Sequence, residues 1–282
     1  MIRLPLLLSA ALLAATPAAA QTAPQPAAAD WRAVEPQNLL VIETSKGRVL
    51  VELEPRVAPA HVARIRELAD RGFYDGLKFH RVIAGFMAQT GDPKGDGTGG
   101  SDLPDIAGEF GFRRGRTSDI QWVEGAQPGL FGLMGSVAVS SQPDSAMMIN
   151  PDFKAGVTPL FCPGSAGMAR SGDPNSANSQ FFLMTGENPA LNGGYTVFGR
   201  IVDGLAVVRA LNSGSEANNG QVTNPDVMTR VRTASALPAA QRPAVRVLSP
   251  ASAAFAARLA EQRARSGRVN ICDVQPVVEI SR

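Results

Sequence analysis

The chain has 282 residues, of which 44% are hydrophobic and 18% charged, with a formal net charge of +2. That length suits one large domain or two small ones, and so small a charge supplies no basic field to draw nucleic acid or an anionic membrane. Only two His and two Cys argue against a structural zinc site, and 28 Gly with 21 Pro favour a turn-rich β fold over a helical bundle.

Residues 1–20 carry Arg3, an apolar run from Leu4 to Ala15, and Ala18-Ala19-Ala20 before Gln21. This is the pattern of a secretory signal peptide with a small-residue cleavage site, too short to span a bilayer comfortably; a retained anchor is the alternative. Its Ala/Leu style suggests a bacterial exported protein whose mature chain starts at Gln21 in the periplasm, free of the membrane after cleavage. Residues 21–37 are Ala/Pro-rich and read as a flexible tether.

Leu39 to Thr44 and Arg48 to Leu53 are β-rich runs around Ser45-Lys46-Gly47, which predicts a hairpin. Pro59 opens a helical pattern running to Arg71, with Gly72 as its stop; His61 on it is expected at the surface or boundary. Residues 79–92 then read as two short strands joined by a bend at Ala84-Gly85. The two-residue period puts Met87 and Gln89 on one face, and Gly85 lets Phe86 converge with Arg81. His80 points to the opposite face and reads as a hydrogen-bonded structural histidine. Gly95 to Gly100 matches G-x-G-x-x-G, but Ser101-Asp102-Leu103-Pro104 follows where a dinucleotide fingerprint needs a helix, so nucleotide binding is rejected.

Residues 101–164 hold a basic cluster (Arg113, Arg114, Arg116), Trp122 and an apolar run from Leu130 to Val139. A decorated loop with one extra strand pair is the expected form, a partner- or substrate-selecting flap the sharper alternative. Strands are predicted at Ser165–Ala169, Gln180–Met184 and Thr196–Val202, with a tight loop over Leu191–Tyr195. Asp203 is expected to cap a short helix through Leu211, and Val227 to Thr233 to form a further strand. The remainder holds an extended segment (Leu237 to Leu248), a helix starting near Ser249 or Ser252 and ending about Arg265, and strand-like alternation from Ile271 to Ile280. It is too small for a core of its own and is expected to pack on the main body. Cys162 and Cys272 fall one in each addition; a disulfide between them and two buried free thiols both fit.

The run Phe79-His80-Arg81-Val82-Ile83-Ala84-Gly85-Phe86-Met87-Ala88-Gln89-Thr90-Gly91-Asp92 resembles the signature of the cyclophilin family of peptidyl-prolyl cis–trans isomerases. A second block agrees in the family's order: Gly167-Met168-Ala169-Arg170, Pro174-Asn175-Ser176-Ala177-Asn178-Ser179-Gln180-Phe181-Phe182 and Val197-Phe198-Gly199. The resemblance covers roughly residues 38–110 and 164–233. It implies a mainly β fold, a closed eight-stranded antiparallel β-barrel plugged by two α-helices. The domain would span 38–233, with an insertion at about 111–164 and a C-terminal appendix at 234–282.

The resemblance implies Arg81 as the catalytic residue. It places substrate contacts at Phe86, Met87, Gln89, Thr98, Gly99, Ala169, Arg170, Gln180, Phe181, Leu191 and Tyr195. An apolar floor would hold a proline ring while the guanidinium donates toward the prolyl nitrogen of a twisting amide. No cofactor is implied, and a monomer acting on unfolded or extended Pro-containing polypeptides of exported proteins is expected. A non-catalytic, chaperone-like Pro-peptide binder is the rival, against which the cation at Arg81 argues. Two departures stand out: the family's common indole position is Ala190 here, and its frequent groove histidine is Tyr195. Losing the indole predicts weak binding of cyclosporin-like macrocycles. Arg170 replaces a small amide where backbone does most of the binding.

Overall fold

The computed structural model describes residues 25–123 and 130–281. The signal-peptide reading of residues 1–20 and the first part of the predicted tether lie outside them. Among the described residues sixteen strands and three α-helices follow in chain order: β1 (Trp31–Ala33), β2 (Leu39–Thr44), β3 (Gly47–Leu53), α1 (Pro59–Asp70), β4 (Arg81–Ile83), β5 (Met87–Thr90), β6 (Phe112–Arg114) and β7 (Gln121–Trp122). Then come β8 (Leu130–Met134), β9 (Val137–Ser141), β10 (Ala155–Pro159), β11 (Ser165–Met168), β12 (Phe181–Met184), β13 (Val197–Asp203), α2 (Leu205–Arg209), β14 (Met228–Thr233), β15 (Ala244–Leu248), α3 (Ala253–Ser266) and β16 (Val278–Ser281).

The main sheet has eight antiparallel strands in the order β14-β2-β3-β13-β11-β12-β5-β4, curled into a half-barrel. Beside its two edge strands the chain at 77–82 bonds the chain at 220–228: Met228 N donates to Leu77 O at 2.9 Å, Phe79 N to Asp226 O at 2.9 Å, and Val82 N to Gly220 O at 2.8 Å. The unbroken apolar run at Leu39–Ile42 follows from burial on both faces of β2. Leu40 and Ile42 enter the main core together with Val49, Val51 and Leu53, while Leu39, Val41 and Leu50 face a second cluster outside.

Helix α1 sends Val62, Ile65, Leu68 and Ala69 into the main core and ends before Gly72, whose φ of 76° only glycine adopts freely. His61 departs from the expected surface position: it is fully buried, with Nδ1 2.6 Å from Glu109 Oε2. Glu109 also accepts the N–H groups of Ala60 and His61 at 3.1 and 3.0 Å, so a carboxylate from a distant loop caps this helix start. Asp203 does not cap α2. Gly204 holds that position at φ 89°, where a Cβ would lie 2.4 Å from Arg48 O.

Residues 31–33 are no free tether; they form β1 and pair with β15 in the three-stranded sheet β1-β15-β16. That sheet covers the outer face of β2 and β3 through Val34, Val245 and Val247, and Arg32 clasps the Glu52 carboxylate, with Nη2 2.8 Å from Oε2. The insertion holds five strands rather than one extra pair, in the order β6-β10-β9-β8-β7. Its apolar run folds back on itself at Gly135 (φ 59°), which makes β8 and β9 a hairpin. The Ile271–Ile280 stretch is strand only over Val278–Ser281; Ile271–Asp273 is a 3₁₀ turn in which the Asn270 side chain accepts from Cys272 N at 3.0 Å, and Pro276 interrupts the rest.

The appendix packs on the main sheet through β15 and also shares a separate core with the insertion. Leu133, Ala138 and Leu160 meet Phe255, Val269 and Ile271 there, and Cys162 and Cys272 are joined by a disulfide across 110 residues. Ser252 starts α3, its side chain accepting from Phe255 N at 3.1 Å.

Candidate functional site

Strands β4 and β5 pair with Arg81 opposite Gln89 and Ile83 opposite Met87, the bend between them made by Gly85 at φ 73°. The alternation expected from the sequence therefore puts Arg81, Met87 and Gln89 on one face. The guanidinium is gripped from two sides: Nη1 donates to Gln89 Oε1 at 3.1 Å, while Nε and Nη2 donate to Asn219 O and Oδ1 at 2.9 and 3.0 Å. Beyond Gln89 the bonds continue in one sense. Gln89 Nε2 donates to Gln180 Oε1 at 2.9 Å, and Gln180 Nε2 to the carbonyls of Gly97 and Gly99 at 3.0 and 2.8 Å. Burial lowers the Arg81 pKa from its usual value, with the Tyr195 phenol acting weakly the other way. Arginine remains a cation throughout the physiological range.

Two cavities adjoin across Gln89, Ala169 and Arg170. The smaller, about 180 Å³, is lined by Arg81, Phe86, Met87, Gln89, Ala169, Arg170, Phe182, Leu191 and Tyr195. The larger, about 380 Å³, is polar and takes in Thr98, Gly99, Asp105, Ser171, Ser176, Asn178 and Gln180. All but one of the site residues expected from the sequence line one cavity or the other.

The exception is Phe181. It is fully buried and points into the main core, its ring 5.3 Å from Tyr74 and 6.0 Å from Phe198. Phe182, which the sequence reading left out, walls the smaller cavity instead. The reason is strand phase: Phe182 lies opposite Gln89 while Phe181 lies opposite Thr90. The signal was present, because Gln180 and Phe182 are two apart and must share a face.

Asp105 and Asn178 lie far apart in the sequence and meet only in the fold, where Asn178 Nδ2 reaches Asp105 Oδ1 at 2.9 Å. Arg170 contributes its side chain as well as backbone. Its guanidinium stacks 4.3 Å over the Tyr195 ring and donates twice to Gly194 O, at 3.0 and 2.8 Å, so it braces the 191–195 loop between the two cavities.

The rim loop that carries Thr98 and Gly99 is closed over Asp92. Burial pushes the Asp92 carboxyl up, but the backbone N–H groups of Lys94, Gly97, Gly99 and Asp96 outweigh it and hold the group below the ordinary carboxylate range. The bonds from Lys94 and Gly97 are 2.8 and 2.6 Å long. His80 sits beneath this loop and is buried, with the Lys78 backbone acting on its ring although neither ring nitrogen has a partner in close hydrogen-bonding geometry. Burial lowers its pKa, and the neighbouring Asp92 charge offsets only part of that.

The smaller cavity offers an apolar floor, one fixed cation and one amide. No hydroxyl nucleophile of serine or threonine, thiol, imidazole or carboxylate lines it among the described residues. Nor does any group of three or more His, Cys, Asp or Glu gather in a way that could hold a metal ion among those residues. Such a wall can seat a compact apolar group and polarise one atom of it.

The family model described as cyclophilin type peptidyl-prolyl cis-trans isomerase/CLD matches residues 39–233. A probable peptidyl-prolyl cis-trans isomerase of Brucella suis is 39% identical over 231 residues, covering 78% of this chain and 90% of its own. A peptidyl-prolyl cis-trans isomerase-like 1 of Rhizopus delemar is 34% identical over 172 residues, covering 61% of this chain and 78% of its own. The crystal structure of a cyclophilin from Hirschia baltica superposes with a TM-score of 0.79 at 33% identity, over 89% of this chain and 93% of that one.

Proposed function

The chain belongs to the cyclophilin-type peptidyl-prolyl cis–trans isomerases, and from that premise we propose that Arg81 drives rotation about Xaa–Pro bonds seated over Phe86, Met87, Phe182 and Leu191. Rotation about a peptide bond is slow because conjugation keeps the C–N bond planar, with a barrier of about 18–20 kcal/mol. No covalent bond need break. The ring must be held, the carbonyl swung, and the nitrogen lone pair released from resonance.

The smaller cavity of about 180 Å³ suits a pyrrolidine ring held by burial alone. The lone pair becomes a good acceptor only as the amide twists, so a donated N–H from Arg81 is stronger in the transition state than in the ground state, which lowers the barrier. Gln89 holds the guanidinium and can anchor the neighbouring carbonyl of the peptide. The observation that carries this reading is the guanidinium itself, held beside the apolar floor of the cavity with no carboxylate partner among the described residues. A purely binding site would have no use for that cation.

The same reading takes the half-barrel as a closed eight-stranded barrel with α1 and α2 as its plugs, supported by the hydrogen bonds between residues 77–82 and 220–228. It places the protein in the periplasm as a monomer acting on Pro-containing segments of exported polypeptides, supported by the leader pattern of residues 1–20.

The test is cis–trans exchange of an Ala-Pro peptide with the purified protein and its Arg81→Ala variant. A loss on the order of 10²–10³-fold in kcat, the range for removing one preorganised donor, supports the mechanism. Undiminished exchange by the variant overturns it.

A further inference from the structure

Arg81 is held on the edge opposite Gln89 by a residue that no motif in the sequence singles out. Asn219 lies at φ 52°, one of two described non-glycine residues in the left-handed region. Asparagine tolerates that conformation better than most residues because its amide bonds locally. Here the conformation has a use: the backbone carbonyl of Asn219 accepts from Arg81 Nε and its side-chain Oδ1 from Nη2, at 2.9 and 3.0 Å. Two acceptors from one residue thus clasp one edge of the guanidinium.

The loop that carries Asn219 is itself tied to β4. Val82 N donates to Gly220 O at 2.8 Å and Gly214 N to Val82 O at 3.0 Å, so Asn219 is anchored to the residue next to Arg81. Ser215 O and Glu216 O accept from Gly220 N and Asn219 N, each at 2.9 Å, and close the turn from within.

We propose that Asn219 is a positioning residue for catalysis: by clasping the Nε–Nη2 edge it fixes the plane of the guanidinium and aims its terminal N–H groups into the cavity. A guanidinium has five N–H donors in a rigid fork, and three of them are taken up by Asn219 and Gln89. Nη1 also meets Met87 Sδ at 3.9 Å, so the terminal N–H groups beyond the two clamps lie against the lining of the smaller cavity. An arginine side chain free to turn would have to be ordered in each transition state, whereas one already clamped need not be. The inference rests on the catalytic reading of Arg81.

Three substitutions separate the possible roles. Asn219→Gly keeps the left-handed backbone and the main-chain carbonyl and removes the side chain, Oδ1 with it. Asn219→Ala removes Oδ1 and adds backbone strain. Asn219→Asp restores an oxygen at the same place. Exchange of an Ala-Pro peptide would be measured with peptide affinity and Tm alongside.

The expected result is that Asn219→Gly loses about tenfold in kcat, the scale of one charge-assisted hydrogen bond, with KM and peptide affinity within twofold and Tm unchanged. Asn219→Asp recovers most of that loss, and Asn219→Gly adds nothing in an Arg81→Ala background. Wild-type kcat in Asn219→Gly overturns the proposal, as does a loss in which kcat, affinity and Tm fall together, or one that Asp fails to recover. If Arg81→Ala keeps full activity, the reading of Arg81 fails; if Arg81→Ala is inactive while Asn219→Gly is normal, only the positioning role fails.

Discussion

Removing the Cys162–Cys272 disulfide perturbs two elements that are remote in sequence and adjacent in space. Both cysteines are buried in the core shared by insertion and appendix, 110 residues apart. In the chain-entropy model, releasing a loop of that size from the unfolded chain costs about 5 kcal/mol at 25 °C, and measured losses often fall short of the model. A small domain has a total stability of about 5–15 kcal/mol, so the bond is a large part of the whole. Substituting both cysteines by alanine avoids burying a hydroxyl. The effect should also reach the groove, because Asn188 N donates to Phe161 O at 3.0 Å and Phe161 N to Asn192 Oδ1 at 2.9 Å, which brackets Leu191. Urea unfolding of the oxidised protein and the Cys162→Ala/Cys272→Ala variant, read as midpoint and slope, should give a loss of about 2–5 kcal/mol. A loss under about 1 kcal/mol would refute the reasoning. So would two reactive thiols per chain in denatured, unreduced protein.

The two adjacent phenylalanines should separate cleanly. Phe182→Ala should raise KM for an Ala-Pro peptide by about tenfold, the scale of removing one apolar wall. Phe181→Ala should leave KM alone and cost about 3–5 kcal/mol of stability in urea unfolding, and the reverse pattern would contradict the strand phase. Stability should fall on acidification in two stages. His80 is lowered below its ordinary 6.5, so the unfolded chain takes up its proton first, and stability is lost as pH falls from about 6.5 toward the folded value. Asp92 and Glu109 are held below their ordinary 3.8 and 4.5, so their contribution is complete above those values and disappears as pH falls through the folded ones. Urea midpoints at pH 7, 5.5 and 3.5 that stay level or rise would contradict this. Ala190→Trp should tighten binding of a cyclosporin-like macrocycle in a titration, because it restores an indole donor at the exposed loop before Leu191; no gain would remove Ala190 as the weak point.

Much of the site can be read from residues 79–92 because its geometry is local. Strand alternation sets the face of Arg81, Met87 and Gln89, and a glycine with positive φ brings Phe86 round to them. The same local rule, applied from Gln180, puts Phe182 rather than Phe181 on the groove face. The helix stop at Gly72 and the cap at Ser252 are likewise backbone chemistry, legible within a few residues.

What no local pattern could reveal is which surfaces meet. Asn219 reaches Arg81 across 138 residues, and Cys162 finds Cys272 across 110. Trp31–Ala33 becomes a strand because β2 is apolar on both faces and its outer face must be covered. His61 is buried because Glu109 arrives from a loop 48 residues away to cap its helix. Each of these depends on where unsatisfied polar groups and uncovered apolar area remain once the local elements have formed. That is a property of the packed chain, not of any segment taken alone.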